Sequence, residues 1–133
     1  MTSFHLKIVT PDGLIYDGEA EQLTVRTREG DVSILARHIN FVTPLGMGRA
    51  TVVANGQRRF AACIGGMLSV VNGEVTLVPT TFEWADQIDV ERADRAQQTA
   101  EARMRSAASD TDLRLAEAKL RRALVRKSTA SYK

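Results

Sequence analysis

The chain has 133 residues, room for one ordinary domain or two small ones. With 44% hydrophobic and 26% charged residues, it has the balance of a folded protein rather than a disordered one. No apolar run approaches the roughly 20 residues needed to span a bilayer, which excludes direct membrane insertion, and the residues from Met1 to Lys7 lack the pattern of a secretion signal. One cysteine, Cys63, removes any disulfide framework, and two histidines, His5 and His38, are too few for a histidine-based metal centre.

Residues 1–84 read as strands and tight turns. Phe4, Leu6 and Ile8 alternate with His5 and Lys7, the period-2 pattern of a strand with one buried face and His5 toward solvent. Pro11-Asp12-Gly13 supplies turn chemistry, and Leu23, Val25 and Thr27 alternate with polar neighbours in a further strand. Asn55-Gly56 and Asn72-Gly73 each separate two apolar runs, and Asn-Gly accepts the two positive φ angles of a type I′ hairpin turn. Cys63 lies in an apolar strand as a core residue, Gly65-Gly66 reads as a bend, and Trp84 is expected to pack the hairpin base on the strands. Many short strands with frequent turns predict an antiparallel β-sandwich.

All nine glycines and all three prolines fall before residue 80, and the composition then shifts to Ala, Arg, Glu, Asp and Gln. Residues 85–133 are expected to form a two-helix antiparallel hairpin over 88–105 and 112–128, making the fold α+β with two domains, 1–84 and 85–133. Asp89 is placed to cap the first helix, with Glu91 in its opening turn. Ala93, Ala96, Ala100, Met104 and Ala107 form a narrow stripe, and Leu113, Ala116, Leu120, Ala123 and Leu124 an apolar face on the second helix. Asp110 or Asp112 is expected to cap that helix. Small side chains bury little area, so the hairpin is expected to be weakly held by its own contacts.

Charge is unevenly spread: seven bases face eight acids through residue 84, and eleven face eight after it. Lys119, Arg122 and Arg126 fall at about 260°, 200° and 240° when Leu120 is set at 0°, so they oppose the leucine stripe. That basic stripe is either a solvated face or a contact for an acidic or phosphate-bearing partner. No nucleophile elbow, Gly-rich phosphate loop or His-Glu-x-x-His motif is present, so neither a catalytic residue nor a metal site is assigned. Ile88-Asp89-Val90-Glu91-Arg92-Ala93 sets a carboxylate at a helix start and a guanidinium one turn later.

Taken in order, these segments resemble the epsilon-subunit family of bacterial F-type, proton-transporting ATP synthases. Ile8-Val9-Thr10-Pro11-Asp12-Gly13 with Tyr16-Asp17-Gly18-Glu19 is similar to that family's opening signature. Glu29-Gly30-Asp31-Val32-Ser33-Ile34-Leu35-Ala36-Arg37-His38 resembles its central motif, and Ile64-Gly65-Gly66-Met67-Leu68 with Val75-Thr76-Leu77 its closing hairpin. Ile88-Asp89-x-x-Arg92-Ala93 resembles its helix-start motif, and the likeness runs collinearly from about residue 4 to 127. Departures include Ser33 for Gly, Asn40 for Pro, and Thr99 where nucleotide-binding members carry a base.

The resemblance implies a non-catalytic central-stalk rotor subunit at the cytoplasmic face of the bacterial plasma membrane. Its sandwich would bind the gamma subunit near His38 and rest on the c-ring through the Glu29-Gly30-Asp31 turn. Its mobile hairpin would inhibit ATP hydrolysis, meeting the catalytic beta subunit through the basic second helix. The resemblance also implies ATP as a regulatory ligand rather than an obligatory cofactor. Glu83, Ile88, Asp89 and Ala93 would surround the adenine, and Arg92, Arg122 and Arg126 would contact the phosphates. The alternative is a free-standing nucleotide-sensing module, with an enzyme third. A nucleic-acid partner is disfavoured by Asp110, Asp112 and Glu117 and by the lack of an aromatic platform.

Overall fold

The computed structural model describes residues 2–132, which form ten strands in two five-stranded sheets followed by two helices. The strands are β1 (Phe4–Thr10), β2 (Gly13–Ala20), β3 (Gln22–Thr27), β4 (Gly30–Leu35), β5 (Phe41–Pro44) and β6 (Met47–Ala54). They continue with β7 (Gln57–Ile64), β8 (Met67–Val71), β9 (Glu74–Val78) and β10 (Thr81–Trp84). Sheet A runs β2-β1-β9-β8-β5 and sheet B runs β10-β7-β6-β3-β4. The expected sandwich is present, and neighbouring strands are antiparallel except for β1 and β9, which run parallel. Between those two the chain crosses through sheet B, so no hairpin imposes the antiparallel sense on them.

Leu6 and Ile8 of sheet A and Leu23, Val25, Ile34 and Val52 of sheet B are buried between the sheets with Leu68, Val70, Val75 and Leu77. Removing each such side chain from water contributes roughly 1.5–3 kcal/mol. Cys63 is in this core, and burial pushes its thiol up to about 12. Trp84 also belongs to the core, edge-on to Phe82 with ring centroids 5.0 Å apart, rather than only at the hairpin base. Asn55 and Asn72 have φ of 55° and 49° and precede glycines at 72° and 83°, so both Asn-Gly pairs make the expected turns. Gly66 sits at φ 96°, and a Cβ there would collide with the Val78 carbonyl, which explains the glycine at this bend.

Helix α1 (Val90–Arg105) starts from Asp89, whose Oδ1 accepts the Arg92 amide at 3.0 Å. Helix α2 (Asp110–Ala130) is capped by Ser109, not by either aspartate, because it begins two residues earlier than the expected 112. Asp110 and Asp112 fall in the first turn, where they suit the helix dipole. The buried helix residues are Ala93 and Ala100 on α1, and Ala116, Ala123, Thr129 and Ala130 on α2. The alanines recur every seven residues, a narrow seam that lets the axes approach. Leu124, expected on the apolar face, is instead 44% exposed, since it lies about 100° round from the Ala123 seam, and Ala96 is exposed as well. The hairpin is folded against the outer face of sheet B, where Ala62, Ile88 and Ala130 are buried together with half-buried Val125.

On the outer face of sheet A, His5 bridges three strands and is not simply solvent-facing. Its Nδ1 lies 2.6 Å from Glu74 Oε2 on β9 and its Nε2 2.5 Å from Asp17 Oδ1 on β2. Both ring nitrogens donate only as imidazolium, and the hydrogen bonds to Asp17 and then Glu74 raise the His5 pKa above its usual 6.5. The clip therefore stabilises the fold below the ordinary histidine value and is lost as pH rises through the raised folded value. A ring-proton titration should find His5 above 6.5 and closer to it in Asp17→Asn. A wild-type value at or below 6.5 would contradict the clip.

Candidate functional site

Where the hairpin joins the sandwich, a cavity of about 450 Å³ opens between the β1–β2 turn, β10, the start of α1 and the C-terminal part of α2. This is within the size range of ligand sites. Five of the residues singled out in the sequence line it: Glu83, Asp89, Arg92, Ala93 and Arg126. Ile88 does not; it is buried in the cluster with Ala62, Val125 and Ala130. Arg122 opens instead on a neighbouring cavity of about 660 Å³ beside Arg28, Arg121 and Thr81. The two cavities share Thr81.

The basic stripe is thus divided by its surroundings. Arg126 Nε donates to Glu83 Oε1 at 2.7 Å, joining α2 to β10, with side-chain exposures of 26% and 38%. Lys127 Nζ reaches Asp94 Oδ1 at 2.6 Å and Gln97 Oε1 at 2.7 Å, joining α2 to α1. Lys119 stays exposed. Partly exposed pairs of this kind are each worth about 1 kcal/mol or less. The Asp89 carboxylate holds the α1 amide through one oxygen, leaving the other free to accept a donor from the cavity.

Sequence reasoning missed Thr10, Asp12, Ile15, Thr81 and Phe82 as cavity lining. Asp12 matters most, because with Glu83 and Asp89 it puts three carboxylates against the two guanidiniums of Arg92 and Arg126. Nothing local in Pro11-Asp12-Gly13 indicates that its turn faces a helix start more than seventy residues later. The arrangement suits a ligand with a hydrogen-bond donor near Asp89 and an anionic end that competes with Glu83 for Arg126.

The interface residues occupy two separate places. Thr27 Oγ1 donates to the Gly30 carbonyl at 2.8 Å and accepts the Glu29 amide at 3.2 Å, which tightens the β3–β4 turn, and Asp31 pairs with Arg26 Nε at 3.0 Å. His38 lies beyond the other end of β4, roughly 20 Å away at about 3.3 Å per residue. Its Nδ1 donates to the Ile39 carbonyl at 2.8 Å and its ring sits 5.8 Å from that of Phe41. On the outer face of sheet A, Val42 and Val71 toward this end and Met67 and Val78 toward the other are 43–60% exposed, with Ser69 and Thr76 between the two pairs, a mixed surface the sequence reading did not single out.

Residues 3–85 match the family described as ATP synthase, Delta/Epsilon chain, beta-sandwich domain, and residues 86–131 match the same family's long alpha-helix domain. The ATP synthase epsilon chain of Bacillus velezensis is 42% identical over 130 residues, covering 98% of both chains. The chain belongs to the ATP synthase epsilon-chain family. Another epsilon chain, from Shouchella clausii, is 37% identical over 133 residues, 100% of this chain and 98% of that one. The epsilon-chain fold is shared with a chain of Euglena gracilis mitochondrial ATP synthase at a TM-score of 0.84 and 22% identity, covering 100% of this chain and 83% of that one. A chain in the central stalk/c-ring structure of Tetrahymena thermophila mitochondrial ATP synthase matches at 0.67 and 13%, with 95% of each covered. Among the described residues no helix is long and apolar enough to cross a membrane.

Proposed function

We propose that this epsilon chain is a non-catalytic central-stalk subunit of a proton-transporting F-type ATP synthase, joining gamma to the c-ring at the cytoplasmic face of the membrane. Its hairpin, folded here, would extend to restrain ATP hydrolysis. The observation that carries this reading is how little holds α2 to the sandwich: a cluster of Ala62, Ile88, Val125 and Ala130, the Glu83–Arg126 pair, and Tyr132 just past the helix end against Phe60 and Arg49. The sandwich core is closed without any helix residue, so the hairpin can leave without unfolding it.

The two interface segments support two partners. The exposed valines Val42 and Val71 near His38 suit gamma, and the polar Glu29–Asp31 turn suits the polar loops of the c-ring. An extended α2 would present Arg114, Lys119, Arg121, Arg122, Arg126 and Lys127 to an acidic surface of the catalytic beta subunit. Deleting residues 88–133 should raise ATP hydrolysis by the assembled complex while gamma still co-purifies with the sandwich. Unchanged hydrolysis would contradict the inhibitory role, and loss of gamma from the full-length chain would favour the free-standing module.

ATP is proposed as the ligand of the cavity at the hairpin base. The adenine amino group would donate to Asp89, and the phosphates would compete with Glu83 for Arg126 while meeting Arg92. Arg122 reaches them only from the adjoining cavity, and Thr99 adds no charge. A ligand touching β10, α1 and α2 at once stabilises only the folded hairpin. At ten times its dissociation constant it adds roughly 1.4 kcal/mol, about a tenfold shift toward that state. Calorimetry on the isolated chain should find ATP binding that is weakened in Arg126→Ala and in Asp89→Asn, which keeps the helix cap. Binding indifferent to both substitutions would place the nucleotide elsewhere.

A further inference from the structure

Past the end of α2 the chain adds one tight turn: the Tyr132 amide donates to the Thr129 carbonyl at 3.0 Å, and Ser131 Oγ to the Ser128 carbonyl at 2.6 Å. This turn lays the Tyr132 ring on the outer face of sheet B. Its centroid is 5.1 Å from that of Phe60 on β7, and the Arg49 guanidinium of β6 stands 3.9 Å from the Tyr132 centroid and 5.5 Å from that of Phe60. Next to it Arg59 covers Trp84 at 3.6 Å, and Tyr132 and Trp84 line one small cavity of about 140 Å³. Arg49 and Phe60 face outward on their strands, since Ala50 and Ala61 beside them are fully buried between the sheets.

We infer that Arg49 and Phe60 form a receptor on sheet B for this chain's own C-terminal end, with Tyr132 as the latch that keeps the hairpin folded. The contact is a cation against two aromatic faces, and among the described residues Arg49 has no carboxylate partner. It therefore differs from the Glu83–Arg126 pair in its response to salt. Screening weakens an exposed ion pair, whereas ring stacking and desolvation of the guanidinium face survive it. The latch also sits at the tip of α2, where peeling from the sandwich would begin, so it sets the ease of the first step of release. Its consequence for hydrolysis rests on the inhibitory reading above; the latch itself does not.

The test uses the full-length isolated chain, with amide hydrogen exchange of residues 120–130 and fluorescence of the single tryptophan, Trp84, as readouts. Tyr132→Ala and Arg49→Ala should each speed α2 exchange about five- to tenfold, more evidently at high salt, while strand amides stay protected. Tyr132→Phe keeps the ring and should stay within about twofold of wild type. The double variant should be no looser than Tyr132→Ala alone, because Arg49 acts on α2 through the Tyr132 ring. Unchanged α2 exchange in Tyr132→Ala, equal loosening in Tyr132→Phe, or additive effects in the double variant would each overturn the latch. Faster exchange in Tyr132→Ala with unaltered hydrolysis by the assembled complex would support the latch and count against the inhibitory role.

Discussion

The shallow contact between α2 and the outer face of sheet B governs what this molecule can do. Alanines form the helix–helix seam, and alanine again, Ala62 against Ala130, forms part of the helix–sheet contact. Each such residue removes little apolar area from water, whereas the sandwich core buries whole leucine, isoleucine and valine side chains. The sandwich is thus a rigid body, and the hairpin a second body whose position is set by a few contacts of about 1 kcal/mol each. Any group that binds across the junction stabilises this folded arrangement over one in which the hairpin has left the sandwich.

The contacts at the junction are chemically unlike. Glu83–Arg126 is an ion pair beside a cavity, so an anion or a change in ionic strength acts on it. The Ile88 cluster is apolar, and Thr129, fully buried on α2, has a hydroxyl without a partner among the described residues. That unsatisfied group offsets part of what the cluster contributes and keeps the folded hairpin from being over-stabilised. Arg49, Phe60 and Tyr132 add a cation–aromatic contact at the helix tip. A nucleotide beside Arg126 and a latch at Tyr132 would act together on the C-terminal end of α2.

Local chemistry was legible in the sequence and long-range pairing was not. The Asn55-Gly56 and Asn72-Gly73 turns, the alternation through Phe4, Leu6 and Ile8, and the Asp89 cap each depend on a few neighbouring residues. The parallel β1–β9 pair, the approach of Asp12 to α1 and the His5 clip to Glu74 all join residues about seventy positions apart, where no local pattern speaks. Leu124 misled because a period of three and four permits two adjacent faces, and the seven-residue alanine spacing chose the other. Arg122 and Arg126 are four residues apart on α2, and the roughly 40° and 6 Å that this spacing puts between them open them on different cavities.

On the proposed function, the hairpin must leave sheet B to restrain ATP hydrolysis. A short bismaleimide bridge between Glu83→Cys and Arg126→Cys would hold α2 to β10, where the native side chains already lie 2.7 Å apart. Native Cys63 would not compete, being buried with its thiol pushed up to about 12. The assembled complex carrying the bridged chain should hydrolyse ATP as fast as one lacking residues 88–133. The same complex before bridging should be slower. Hydrolysis that stays equally slow before and after bridging would contradict the account.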